Sequence, residues 1–202
     1  RQTWSEHHAL RDVSLTIGAG EAVGLVGRNG AGKSTLLKII AGTLQPSRGV
    51  VRVNGRSAAI LELGLGFHPA FSGRENIYLG GLCLGLTRRE IDERFDEIVA
   101  FSEIGDALDR PFGSYSTGMQ ARLSFSVASS VDAQLMIVDE ALSVGDARFQ
   151  LKCFNRFQEM RAKGASFILV SHSMPTIVSF CDRALLIEAG QIIEDGAPQQ
   201  ID

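Results

Sequence analysis

The stretch GRNGAGKST, residues 27–35, decides the fold that this sequence predicts. It follows a short apolar run, AVGLV (22–26), and leads into a segment with helical apolar spacing, KSTLLKIIAG (33–42). A strand, a glycine-rich loop and a helix in direct succession are typical of a phosphate-binding loop. The alternative is a glycine-rich turn that binds nothing, and the flanking strand and helix disfavour it.

The residue types in this stretch suit a nucleoside triphosphate. Glycines let successive backbone N–H groups converge on phosphate oxygens without a side-chain clash, and the helix adds the partial positive charge of its N-terminus. Lys33 can reach the β- and γ-phosphates, and the Ser34 hydroxyl can bind Mg²⁺. The whole stretch is therefore the predicted cofactor site: Gly27, Arg28, Asn29, Gly30, Ala31, Gly32, Lys33, Ser34 and Thr35.

A second apolar run, LMIVDE (135–140), ends in two acids. Taken alone, such a run is a strand that meets solvent. Downstream of a phosphate-binding loop it predicts more, because Asp139 can hold Mg²⁺ and Glu140 can act as general base on the attacking water.

The composition bounds the kind of protein. The chain has 202 residues and a net charge of -3, which disfavours a general affinity for nucleic acid. It has no apolar stretch near the roughly 20 residues that span a bilayer, so we expect any link to a membrane to go through a partner. The three cysteines form no CxxC pair and predict buried thiols in a reducing compartment: Cys83, Cys153 and Cys181.

The ends of the chain suggest a part of something longer. Arg1 is not an initiator methionine, and the chain stops at Asp202 soon after a strand-like pair. We expect a domain of a longer protein, or a chain whose ends are incomplete.

The first third of the chain alternates β-type runs with turns. Beyond the run at 22–26, we expect strands at DVSLTI (12–17), VVRVNG (50–55) and SAAILEL (57–63). The dipeptide Asn54-Gly55 predicts a hairpin between the last two.

The middle of the chain is helical in pattern. Ser72-x-x-Glu75 and Thr87-x-x-Glu90 both fit the capping box that opens a helix. A helical subdomain is expected at about 74–130.

The last third returns to α/β alternation. Buried strands are expected at LMIVD (135–139) and SFILVS (166–171), with a helix between them at 147–163. A terminal hairpin is expected at 184–196, around Ala189-Gly190. We therefore predict one α/β nucleotide-binding domain, 1–202, of the P-loop NTPase fold: a central, mostly parallel sheet, an N-terminal antiparallel β subdomain and an inserted α-helical subdomain.

The segment YSTGMQAR (115–122) resembles the signature motif of the ATP-binding cassette family, LSGGQ in its common form. A Ser/Gly turn that caps a helix is the alternative. The order of motifs favours the family, because SVGD (143–146) stands at the D-loop position and His172, in LVSHS, at that of the switch histidine. Trp4 has the spacing of the family's adenine-stacking aromatic, although a packing residue is the alternative.

The resemblance implies an ATPase that works as a head-to-tail homodimer with ATP and Mg²⁺ at its interface. Four residues of one copy would then face the nucleotide held by the other: Ser116, Thr117, Gly118 and Met119. His172 joins Glu140 as a catalytic residue by the same resemblance.

One position departs from the family pattern. The family usually carries a glutamine after the strand that precedes the helical subdomain, where it senses Mg²⁺ and the transport partner. The segment here, ILELGLGFHPAFSGREN (60–76), contains none, and Glu62 is the nearest polar candidate for a metal ligand. A salt-bridging surface role for Glu62 is equally open.

Three stretches resemble the ATPase subunits of exporters for O-antigen, capsular polysaccharide and teichoic acid: LELGLGFHPAFSGREN, YSTGM and VDEALSVGDARFQ. That resemblance implies a bacterial, peripheral subunit on the cytoplasmic face of the inner (plasma) membrane. It would bind a membrane-embedded permease through residues of about 60–86, and some members carry a C-terminal carbohydrate-binding domain.

Two rival functions remain. A soluble cassette protein acting on the ribosome is disfavoured, since such members usually hold two cassettes in one chain and this sequence has one motif set. One acting on DNA is disfavoured because only 83 residues separate Lys33 from Ser116, which leaves no room for a long coiled coil. An ATPase for another exported substrate, such as a lipid or a drug, uses the same cassette and stays open.

Overall fold

The computed structural model describes residues 8–60, 64, 66–139, 145–171 and 173–201. These residues form a six-stranded sheet in the order β2-β3-β4-β1-β5-β6. The strands are β1 (Ala22–Val26), β2 (Ser57–Ile60), β3 (Leu135–Asp139), β4 (Ser166–Val170), β5 (Arg183–Glu188) and β6 (Gln191–Gly196). The pairs from β2 through β5 are parallel, and only β6 runs antiparallel to its neighbour. The mostly parallel sheet predicted from the apolar runs is confirmed.

The helices lie between the strands in sequence. They are α1 (Lys33–Ile40), α2 (Gly73–Cys83), α3 (Arg88–Ser102), α4 (Thr117–Ala128), α5 (Ala147–Ala162) and α6 (Met174–Phe180). Short 3-10 turns occupy Gly105–Ala107, Phe112–Ser114 and Pro198–Gln200. Among the described helices, none has the length and apolarity that a membrane crossing requires.

Both predicted capping boxes are present. The Ser72 hydroxyl accepts the Glu75 N–H, and the Glu75 carboxylate in turn accepts the Ser72 N–H. Thr87 and Glu90 make the same reciprocal pair at the start of α3. The segment between β2 and β3 is helical, as its pattern predicts. Its helices, α2, α3 and α4, pack against one another.

The sheet is covered on both faces, which explains why its strands read as continuous apolar runs. One face packs on a cluster of phenylalanines from α4, α5, β4 and α6, namely Phe125, Phe149, Phe157, Phe167 and Phe180. The other face packs under α1 through Leu36 and Leu37. Successive residues of β1 illustrate the division, because Ala22 joins the first cluster and Val23 the second.

Two of the predicted strands are wrong. Residues 12–17 and 50–55 form no strand, and β2 pairs in parallel with β3 rather than in a hairpin through Asn54-Gly55. The described structure therefore contains no N-terminal antiparallel pair. The hairpin prediction failed because Gly55 lies against the side chain of Gln134, whose Oε1 accepts the Arg56 N–H at 2.6 Å. This contact joins the start of β2 to the start of β3.

The terminal hairpin is confirmed, and only two residues connect its strands. Ala189 and Gly190 have φ of 44° and 80°, as a two-residue type I′ turn between antiparallel strands requires.

The cysteine prediction holds in part. Cys153 and Cys181 are buried, but Cys83, the last residue of α2, is exposed.

Candidate functional site

Five parallel strands end at one edge of the sheet, and the candidate site lies there. The phosphate-loop stretch follows β1, and Asp139 is the last residue of β3, in register with Val170 of β4. In open α/β sheets, ligands bind outside the carboxyl ends of the strands. The topology thus brings the two predicted halves of a nucleotide site to the same edge, with β4 between them.

The loop backbone requires glycine at two positions for steric reasons. Gly27 has a φ of 148°, and a Cβ placed there would lie 2.2 Å from the carbonyl oxygen of Ile187. Gly32 has a φ of 110°, and a Cβ there would lie 2.7 Å from the Ala9 carbonyl oxygen. Gly30 has a φ of 81° but faces open space. The loop therefore sits tightly on β5 at its start and keeps an open centre.

Lys33 lies over this loop. Its side chain is largely buried, with 8% of the residue exposed. Its Nζ donates hydrogen bonds to the carbonyl oxygens of Gly27 at 2.6 Å and Arg28 at 3.0 Å. Backbone carbonyl groups thus hold the cation at the loop.

The first turn of α1 adds donors beside that cation. The N–H groups at the start of any α-helix have no intrahelical partner and carry the positive end of its dipole. Gly32 is the N-cap and contributes no side-chain oxygen, so nothing from the cap competes for those groups. Ser34 is exposed and Thr35 half-buried in this turn, and Arg28, Asn29 and Gly30 are exposed in the loop. The arrangement fits a polyphosphate.

The metal side of the site is described in part. Asp139 is half-buried at the strand end, while Glu62, Glu140, His172 and Trp4 lie outside the described residues. Over the part of the chain that the structure describes, no three His, Cys, Asp or Glu side chains gather as a metal site. A hydroxyl and a carboxylate nevertheless fit Mg²⁺, which takes few protein ligands and completes its shell with water and phosphate oxygens.

The signature residues lie at the start of α4, in the helical segment. Ser116 is the N-cap of this 12-residue helix, and its Oγ accepts the Met119 N–H at 3.2 Å. Ser116 and Thr117 are exposed, and Gly118 and Met119 are half-buried. α4 packs on α2, α3 and β2 and joins the cluster on one face of the sheet, whereas α1, which follows the loop at 27–35, joins the cluster on the other face. The positive end of the α4 helix dipole lies at this exposed terminus.

One polar group in the region was missed by the sequence reasoning. Arg122 of α4 forms ion pairs with Asp146 and with Glu103. Asp146 is also the N-cap of α5, and the N–H of Phe149 followed by the Arg122 charge holds the pKa of its carboxyl low. An Asp just before a predicted helix is a recognisable cap signal. No sequence signal pairs it with Arg122.

Comparison with known proteins gives a consistent result. The family model described as "ABC transporter" matches residues 10–143. O-antigen export system ATP-binding protein RfbB of Klebsiella pneumoniae is 48% identical over 193 residues, which cover 96% of this chain and 78% of that protein. Teichoic acids export ATP-binding protein TagH of Bacillus cereus is 40% identical over 190 residues, covering 94% of this chain and 34% of that protein.

A solved structure agrees with the sequence matches. The ATP-binding subunit of an ABC transporter superposes with a TM-score of 0.83 at 27% identity, over 94% of this chain and 83% of the other. The chain spans only a third to about three-quarters of the length of its curated relatives, from 34% of TagH to 78% of RfbB.

Proposed function

The chain belongs to the ABC transporter family, and we propose that it is the ATP-hydrolysing subunit that powers export of a lipid-linked polysaccharide through a separate membrane subunit. The observation that carries the proposal is the phosphate loop at the sheet edge, with Lys33 held at its centre by the carbonyls of Gly27 and Arg28. The relatives named for O-antigen and teichoic acid export supply the substrate class.

Each site residue takes a role in this proposal. The loop from Gly27 to Thr35 and the Lys33 ammonium bind the phosphates, and the Ser34 hydroxyl and Asp139 carboxylate hold Mg²⁺. ATP supplies the phosphoanhydride bond whose hydrolysis releases free energy. Glu140 follows Asp139 in sequence and accepts the proton of the attacking water.

Further roles follow from the family resemblance. His172 acts as the switch histidine, Trp4 stacks on adenine, and Glu62 stands in for the missing glutamine near Mg²⁺. The exposed N-terminus of α4, with Ser116 and its neighbours to Met119, faces the nucleotide of a second copy. A head-to-tail homodimer gives two equivalent sites from one kind of chain.

The segment at about 60–86 is the proposed contact with the membrane subunit. It presents apolar side chains to solvent, since Phe71 is 42% exposed and Leu82 53% exposed. Cys83 is exposed beside Leu82 and gives a chemical handle on this surface. By contrast, burial raises the pKa of the Cys153 and Cys181 thiols to about 12, so they stay unreactive in the folded protein.

The proposal is tested by co-purification with a membrane subunit and thiol crosslinking of the complex. We expect crosslinks from Cys83. The matched control is Leu151→Cys in a Cys83→Ser background, because Leu151 is 61% exposed on α5. Crosslinks from position 151 and none from Cys83 would place the contact elsewhere.

The substrate class is tested on the same complex. We expect the co-purified material to contain a lipid-linked glycan, and the neighbouring genes to encode a permease and glycosyltransferases. A lipid or drug without glycan would favour the alternative, an ATPase for another exported substrate. That alternative uses the same cassette, so the ATPase assignment would stand.

A further inference from the structure

We propose that Asn76 and Tyr115 are positioning residues: they lock the segment that follows β2 to the segment that leads into Ser116, and so hold the signature residues in place. The two segments, residues 67–73 and 108–115, are called the clasp below. The proposal rests on the proposed function, in which Ser116 meets the nucleotide of a second copy.

Backbone hydrogen bonds join the two halves of the clasp. The Phe112 N–H donates to the Phe71 carbonyl and the Gly113 N–H to the Pro69 carbonyl, both at 2.7 Å. Ser72 and Pro111 form an isolated antiparallel bridge next to the first of these bonds, and the Gly73 N–H donates to the Arg110 carbonyl on its other side at 3.3 Å. Neither half belongs to the sheet. The clasp is therefore a small β-like unit that connects two loops about forty residues apart in sequence.

Asn76 fastens one half of the clasp to α2. It is fully buried, and its Oδ1 accepts the His68 N–H at 2.6 Å. Its Nδ2 lies within hydrogen-bonding distance of three carbonyl oxygens, those of His68 at 3.0 Å, Phe71 at 3.1 Å and Ser72 at 2.9 Å, which share its two N–H groups. One side chain thus satisfies both ends of a five-residue loop, and a buried amide in such a network is costly to lose.

Tyr115 fastens the other half. It is buried, its hydroxyl donates to the Ala107 carbonyl at 2.6 Å, and its ring lies 5.4 Å from that of Phe112. Gly73 makes room for this hydroxyl, since a Cβ at Gly73 would lie 2.2 Å from it. Tyr115 thus touches both the start of α2 and the turn before the clasp.

The position of Tyr115 in the chain makes this contact matter for the site. The next residue, Ser116, caps α4. The first half of the clasp leads back towards β2 through the Phe67 N–H, which donates to the Gly64 carbonyl at 2.9 Å. Since β2 ends at the nucleotide edge of the sheet, the clasp joins Ser116 to the segment that follows that edge in sequence.

Tyr115→Phe tests the inference, because it removes the hydroxyl and keeps the ring. The matched control is Ser130→Ala, which removes another buried hydroxyl that donates to a carbonyl, that of Val127 at 2.7 Å, beyond the other end of α4. Asn76→Asp is a second variant that keeps the shape of the side chain and loses the hydrogen bonds donated by Nδ2. Thermal unfolding of each variant shows whether it folds.

The first readout needs no nucleotide. In Tyr115→Phe we expect amide exchange of Phe112 and Gly113 to become about fivefold faster, as the loss of one hydrogen bond implies. The amide chemical shifts of Gly118 and Met119 should change with it. Ser130→Ala should leave these signals as in the parent. Unchanged shifts at 118 and 119 in a folded Tyr115→Phe protein would overturn the inference.

The second readout is ATP-driven dimerisation in a Glu140→Gln background. We expect Tyr115→Phe to weaken the dimer by up to about twenty-fivefold, because each dimer loses the contact twice. ATP affinity of the dilute monomer should stay at the parent value. If the parent dimerises and both clasp variants match it, the inference is wrong and the proposed function stands. If the parent does not dimerise while the shifts change, positioning holds and the proposed assembly fails.

Discussion

At the scale of single residues, two glycines of the phosphate loop differ in how closely neighbouring atoms approach them. Gly27 lies against the carbonyl oxygen of Ile187 on β5, whereas Gly30 has a positive φ and open space around it. We expect Gly27→Ala to lower the free energy of unfolding by more than about 3 kcal/mol, because backbone must move. Gly30→Ala should cost only the roughly 1 to 2 kcal/mol of left-handed strain. Urea unfolding measures both, and equal losses would contradict the steric account.

Lys33 is the residue on which nucleotide binding should depend most. Lys33→Ala removes the ammonium that the carbonyls of Gly27 and Arg28 hold at the loop. We expect ATP affinity to fall by about tenfold to a hundredfold, the worth of a hydrogen bond to a charged group. Lys38→Ala, in the last turn of the same helix, is the control and should bind as the parent does. Titration with a slowly hydrolysed analogue decides, and unchanged affinity in Lys33→Ala would remove the phosphate-site assignment.

The sequence indicates the loop residues and not the clasp for a physical reason. A phosphate loop is local, so its glycines, lysine and hydroxyl occur within nine consecutive residues. Asn76 and Tyr115 act through contacts between segments far apart in the chain, and neither residue type signals such a contact. The family resemblance reads Tyr115 as a replacement for leucine. The structure adds that its hydroxyl bonds to Ala107.

At the scale of elements, helix ends were predicted better than strand pairs. Capping boxes are local, and both lie where the Ser72 and Thr87 patterns predict them. The segment at 12–17 has alternate burial, with Val13, Leu15 and Ile17 packed on the core, yet it forms no ladder. Apolar residues at every second position indicate an extended chain with one buried side. It does not report a hydrogen-bonding partner.

The capping box of α3 makes a prediction about pH. Hydrogen bonds from the Thr87 backbone N–H and hydroxyl, then from Arg56, lower the pKa of the Glu90 carboxyl from 4.5 to about 2. A pKa lowered by folding stabilises the protein above 4.5, and this stabilisation is lost as pH falls from 4.5 to about 2. We expect Glu90→Gln to flatten the decline of unfolding free energy over that range.

The control for this measurement is Glu93→Gln on the exposed side of the same helix, where Glu93 pairs with Arg89 one turn earlier. Urea unfolding of the parent and both variants at a series of acidic pH values compares the slopes. If both variants flatten the decline of the unfolding free energy equally, the total charge rather than the capping box governs the loss of stability at acidic pH.

At the scale of the whole molecule, the sheet order places the two halves of one site together and leaves the signature apart. The loop at 27–35 and Asp139 share the sheet edge, whereas Ser116 starts a helix that packs on α2, α3 and β2. The motif patterns alone do not predict this separation, which depends on the packing of α4; only the family resemblance implies it. An exposed helix N-terminus with a serine cap is suited to an anion from outside the chain. This is the physical basis for expecting a second copy.

Glu140→Gln tests that assembly directly. The amide cannot take the proton of the attacking water but keeps the size of the side chain, so ATP should bind and persist. We expect hydrolysis to fall at least about a hundredfold, at the low end of general-base effects, and a stable dimer to form on adding ATP. Light scattering and phosphate release measure the two outcomes. The double variant Lys33→Ala/Glu140→Gln is the control and should stay monomeric, since it lacks the bound nucleotide. Near-parent hydrolysis would show that Glu140 is not the base, and an ATP-bound monomer would show that Ser116 meets no second site.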